Sequence, residues 1–231
     1  MESNEKKPHG VGIRYGYTDE SVATRWCAPN IGERNRRRIE IVTVINSSTN
    51  IFYRAWVIGM SAEDFLADIE SPQLRVLLHH WLEVRGQRRM PSWHDIRPTT
   101  IKAQLPIVWS WKYDRASDKF TGRLAGERIQ AVFATNIRGA AMSDVFSGHD
   151  YARMFARHKR VLSEPAFFRG RGLVFRHLDR FDAGERIILP LAGDGSNGDG
   201  IIGATDFQSN LGAVPDDVLR VGEIEEWFAI D

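Results

Sequence analysis

The chain has 231 residues, a formal charge of +1 from nearly balanced acids and bases, and an apolar fraction of 42%. That length and apolar content supply one core, and the charge balance excludes the global basic field typical of nucleic-acid-binding domains. The single cysteine, Cys27, excludes an internal disulfide and a thiolate zinc centre and suits a reducing cytoplasm, the expected location.

The opening run Met1-Glu2-Ser3-Asn4-Glu5-Lys6-Lys7 is polar and does not read as a secretory leader. Residues 41–60 come nearest to a membrane span, but Asn46, Asn50 and Arg54 interrupt them. An arginine at mid-span costs about 2.5–3.5 kcal/mol, so no membrane is expected among the partners. Up to residue 59, Gly, Asn and Arg are scattered, Arg34-Asn35-Arg36-Arg37-Arg38 is basic, and residues 39–45 alone read as a strand. Residues 1–59 are therefore expected to be a poorly ordered or atypical extension outside the domain, with Met60 as its natural beginning; a basic arm for a partner is the competing reading.

From residue 61 the pattern turns helical. Ser61 and Asp64 have the spacing of a capping box. A stronger helix follows Ser71-Pro72, with Leu74, Leu77, Leu78, Trp81 and Leu82 on one stripe and Gly86 as its stop. Pro91 and Pro98 force an extended connector. Residues 106–113 and 119–125 read as strands, 126–134 and 150–163 as helices, and 172–181, 186–192 and 201–208 as three further strands. Residues 211–231 are expected to form a tail or short helix. Two strands, then helices, then three strands joined by short turns predict an α+β domain over 60–210: one antiparallel sheet with helices on one face.

Motifs for chemistry are weak. Asp194-Gly195-Ser196-Asn197-Gly198-Asp199-Gly200 lacks the ligand spacing of a calcium loop and reads as a solvated hairpin. His79 and His80 are adjacent on a helix, so their side chains diverge by about 100° and do not share a metal; no zinc-binding spacing occurs and no metal is expected. A Ser nucleophile elbow, a catalytic Cys and a Gly-rich phosphate loop are all missing, so the chain is not expected to be an enzyme.

A set of landmarks carries more information. Arg85-Gly86, Met90-Pro91-Ser92, Asp95-Ile96-Arg97-Pro98, Leu105-Pro106, Phe120, Arg123-Leu124-Ala125-Gly126 and Ile187-Ile188-Leu189-Pro190-Leu191 together resemble the stand-alone PAS proteins common in alphaproteobacteria. The resemblance implies five strands ordered 2-1-5-4-3, an N-terminal flanking helix, and a sensory or regulatory role without an attached output domain. It also implies a small-molecule pocket between the inner sheet face and the helices. Trp109, Trp111, Phe133, Phe155, Phe175, Ile188 and Leu189 are the candidate walls, and Arg123, His158 and Arg176 the candidate polar groups. Cofactor identity stays open: none is the default, and His158 is the one candidate for an axial haem ligand. The alternative is a ligand-free interaction module in which Leu74, Leu77, Leu78 and Trp81, with Trp227-Phe228, make a homodimer or meet a signalling partner.

Overall fold

The computed structural model describes residues 38–46, 50–58, 61–133, 135–177, 180–208 and 223–230, with side chains for all of these except 38–58 and 176–181. Local sequence sets the two leading helices. Helix α1 (Ala62–Asp68) starts at Ser61, whose hydroxyl accepts from the Asp64 amide at 3.1 Å while the Asp64 carboxylate accepts from the Ser61 amide at 3.2 Å. Two orphan donors of the first turn are thereby satisfied reciprocally. Helix α2 (Pro72–Arg85) has Ser71 as its cap and ends at Gly86, whose φ of 55° a side chain would resist. Ser71 also donates to Asp206 Oδ2 at 2.7 Å, and its amide donates to Glu185 Oε2 at 2.7 Å, which pins the start of α2 to the sheet.

The strands are β1 (Arg38–Asn46), β2 (Asn50–Ile58), β3 (Val108–Asp114), β4 (Lys119–Ala125), β5 (Ala166–His177), β6 (Arg180–Leu191), β7 (Gly200–Gln208) and β8 (Glu223–Ala229). Helices α3 (Glu127–Phe133), α4 (Met142–Val145) and α5 (Gly148–Ser163) lie between β4 and β5 in the chain. The eight strands form one sheet in the order β1-β2-β8-β5-β6-β7-β3-β4, antiparallel throughout except for the parallel pair β2 and β8.

Read from the β4 edge, strands β3 to β7 have the expected 2-1-5-4-3 order, and the α+β class stands. The number of strands does not stop at five. Residues 223–229, expected as tail or short helix, are a strand paired with β5, and residues 38–46 and 50–58 extend the sheet instead of standing outside it. Residues 1–37 lie outside the described residues.

Both faces of the sheet are covered. Successive strand residues point to opposite sides, so Phe168, Ile188 and Trp227 are buried with α3 to α5, while Phe167, Ile187, Leu189 and Phe228 are buried with α1 and α2. The flanking helix α2 thus closes the face opposite to the other helices. Leu74, Leu77, Leu78 and Trp81, expected at a protein interface, are fully buried against this second face. The Trp81 indole meets Phe167 edge-on at 5.0 Å and donates to the Pro190 carbonyl at 2.9 Å. Trp227 and Phe228 are likewise core residues of β8. The physical reason lies in β6: Ile187-Ile188-Leu189 is apolar without alternation, as a strand needs when both faces are packed.

Candidate functional site

Between the sheet and α3 to α5 lies a cavity of about 130 Å³. Trp109 and Trp111 reach it from β3, Phe175 and Arg186 from β5 and β6, Phe133 from α3, and Arg153, Met154 and His158 from α5. The aromatic wall is interlocked: Phe133 meets Phe146 at 5.2 Å and Phe175 at 5.7 Å, both edge-to-face, a geometry favoured by the ring quadrupoles. Trp109 donates its indole N–H to Thr205 Oγ1 at 3.0 Å, which fixes the ring across the sheet.

His158 is 2% exposed and sits between Trp109 and Phe120, with ring centroids 5.4 and 5.8 Å away. Burial drives its pKa down to about 3, so the imidazole is neutral. Its Nδ1 faces the Met154 carbonyl, which can only accept, so Nδ1 carries the proton and donates. Nε2 is then a buried acceptor with no hydrogen-bond partner among the described residues. Haem does not fit at this histidine: about 130 Å³ falls well short of the roughly 300–1,000 Å³ that even drug-sized ligands occupy.

A charged layer lies beside the cavity. Arg157, one residue before His158 on α5, donates to Glu223 Oε2 at 2.7 Å and to Glu225 Oε1 at 2.6 Å, and all three side chains are buried. The same guanidinium rests on the Phe168 ring at 4.5 Å. Burial alone would lower the Arg157 pKa, but the two carboxylates outweigh it and raise the pKa above the ordinary arginine value. Arg186 has the opposite balance: burial, with Arg157 and Arg153 nearby, outweighs Glu223 and brings its pKa down to about 10. Its Nε lies 2.9 Å from Glu223 Oε1 without making a hydrogen bond.

Of the residues expected in the pocket, the structure brings Trp109, Trp111, Phe133, Phe175 and His158 to the cavity wall. Ile188 is buried in the same apolar cluster but not on the wall. Phe155 packs off the wall, against Phe120 at 5.6 Å and Tyr151 at 5.7 Å. Leu189 belongs to the α2 face, because it is one residue out of step with Ile188. Arg123 is also displaced: Trp111 pairs with Gly122 and Ser110 with Leu124, so Arg123 is the extra residue of a bulge, and its guanidinium covers Trp93 at 4.7 Å. The side chain of Arg176 lies outside the described residues.

Sequence reasoning missed Arg186, Arg153 and Asp150. Arg186 stands two residues before Ile188 and so shares its face, a period-two signal that was available. Among the described residues no group of three or more His, Cys, Asp or Glu side chains is placed to hold a metal, and no helix is long and apolar enough to cross a membrane. In the loop after β6, Asp194 accepts from the amides of Ser196 and Asn197 at 2.9 and 2.7 Å, so its carboxylate caps its own turn.

No curated protein and no solved structure matches the chain. A family model described as a PAS domain matches residues 69–205. That match spans more than half of the chain and covers α2, strands β3 to β6 and the first six residues of β7, strands that stand in the 2-1-5-4-3 order, and the chain belongs to the PAS-domain family.

Proposed function

We propose that this chain is a PAS-type sensor or regulator that reads a small molecule held between the sheet and α3 to α5, and that its role is reception rather than catalysis. The observation that carries the reading is the cavity itself: about 130 Å³ among Trp109, Trp111, Phe133 and Phe175, with buried polar groups at its edge. Binding sites have this make-up, apolar walls with a few convergent polar atoms. A cavity of about 150 Å³ holds one benzene ring, so the ligand is of that size. Ligand binding favours the arrangement of α5 that closes on the molecule, and only a difference in affinity between arrangements drives the response. A signalling partner reads that difference.

The test is a native mass spectrum of the full chain purified from cells, followed by a thermal-shift screen of molecules with about ten heavy atoms or fewer. A released stoichiometric compound, or a hit whose shift disappears in Val145→Phe, which enlarges a side chain that lines the cavity from α4, supports the reading. An empty protein that no compound stabilises refutes it.

A further inference from the structure

One polar atom of the cavity wall narrows the class of ligand, and this step rests on the sensor reading above. His158 lines the cavity and is almost fully buried, yet its Nε2 has no hydrogen-bond partner among the described residues. Its Nδ1 is turned back to the Met154 carbonyl, one turn earlier on α5, and holds the ring proton there. Nε2 is on the far edge of the ring, directed away from the helix backbone into the layer between α5 and the sheet. The cavity occupies that layer, and the ring is flanked there by Trp109 and Phe120. A buried acceptor left without a donor carries its full desolvation cost.

Neighbouring donors are engaged elsewhere. The Trp109 indole N–H goes to Thr205 at 3.0 Å, and Arg157 goes to Glu223 and Glu225 at 2.7 and 2.6 Å. A water molecule on Nε2 would need roughly two to four polar partners, whereas both flanks of the ring are aromatic. The charges near the wall come with their own counter-charges: Arg186 Nε lies 2.9 Å from Glu223 Oε1, and Arg153 lies 3.4 Å from Asp150. The vacant function is therefore a neutral donor, not an ion.

We infer that the ligand is a neutral, phenol-like molecule of benzene size, whose hydroxyl donates to His158 Nε2 while its ring lies among Trp109, Trp111, Phe133 and Phe175. The aromatic walls take the apolar body. The hydroxyl satisfies the one acceptor that the fold leaves open on this histidine.

The experiment is isothermal titration calorimetry of the full chain at neutral pH with phenol and with benzonitrile, a ring of comparable polarity that accepts hydrogen bonds but donates none. Phenol is uncharged at this pH and is expected to bind at least about tenfold more tightly. In His158→Leu that preference is expected to disappear; a preference that survives in the folded variant overturns the inference. Where the variant does not fold, the nitrogen-15 resonance of His158 Nε2 in the unaltered chain decides: it is expected to move with phenol and not with benzonitrile, and a resonance indifferent to phenol overturns the inference. Equal or tighter binding of benzonitrile means that the ligand does not answer Nε2, which overturns the inference and leaves the sensor cavity in place. Binding of neither probe, while the thermal-shift screen returns cavity ligands without a donor, again overturns the inference alone. Binding of neither, with an empty screen, overturns both readings.

Discussion

Acidification is expected to destabilise this fold through one buried ring. His158 is 2% exposed, and burial lowers its pKa from 6.5 to about 3. The unfolded chain takes up a proton on this histidine as pH falls through 6.5, whereas the folded chain refuses it until about 3. Stability is therefore fully present above the unfolded value and is lost progressively as pH falls toward the folded one. Between about pH 7.5 and about pH 5, proton uptake by the unfolded state alone is worth about 2 kcal/mol. His80 is also held below its ordinary value by burial and adds to the loss in the same direction, so the whole pH profile does not isolate His158. The comparison with His158→Gln does, because the other groups titrate alike in both proteins. Urea unfolding followed by tryptophan fluorescence reads the difference. With a slope of about 2 kcal/mol per molar urea, the midpoint of the unaltered chain is expected to fall by about 1 M more than that of the variant. Parallel losses in the two proteins would refute the argument that a neutral, desolvated imidazole sits in this wall.

Leu77→Ala is expected to cost about 2–5 kcal/mol in urea unfolding, because the side chain is fully buried against the sheet. The same change leaves the oligomeric state seen by size-exclusion chromatography unaltered; a shift in that state would restore α2 as an interface. Gly126→Ala places a methyl group 2.0 Å from the Leu105 carbonyl oxygen, between strand β4 and helix α3. Neither backbone can yield cheaply, so a loss of about 1–3 kcal/mol or more is expected in the same assay, and a neutral result would contradict the close approach. Arg157→Met removes the guanidinium that Glu223 and Glu225 share and is expected to cost about 3–5 kcal/mol; an unchanged urea midpoint would contradict the ion pairs.

Local signals in the sequence were readable where the cause is local. Ser61 with Asp64 and Ser71 with Pro72 mark the two helix starts that the structure shows. Period-two reading placed Trp109, Trp111 and Phe175 toward the cavity, and the same rule, applied more strictly, separates Ile188 from its neighbour Leu189 and adds Arg186. The stripe of α2 was visible as a stripe, but amphipathicity says only that a face is covered, not by what. Its cover is the second face of β6, and the unbroken apolar run Ile187-Ile188-Leu189 was the clue. Arg123 was beyond local reading, because a bulge depends on how two strands pair. Strand β8 was the least legible element. Glu223-Ile224-Glu225-Glu226-Trp227 has the charge of an exposed tail, and it becomes a core strand only where arginines from distant elements meet it.

Those arginines come from both sides of the sheet. Glu223 and Glu225 point to α5, where Arg157 pairs with both. Glu226 points the other way, 3.2 Å from Arg171 and 3.6 Å from Arg169. A carboxylate buried in a paired strand carries a desolvation penalty of several kcal/mol unless a cation answers it, so β8 is stable only with α5 and β5 in place. The dependence is mutual. Arg157 is one residue from His158 and three from Met154, both on the cavity wall, so the contacts that hold β8 also fix the register of α5 over the cavity. Bonds of 2.6 and 2.7 Å between buried charges resist separation far more than exposed pairs do, which makes a sideways shift of α5 costly unless β8 moves with it. Strand β8 lies beyond residues 69–205, where the family match ends, yet it supplies the carboxylates that balance the helix lining the cavity. Through these pairs the cavity helix is joined to β8, and through β8 to the β2 and β1 extension of the sheet.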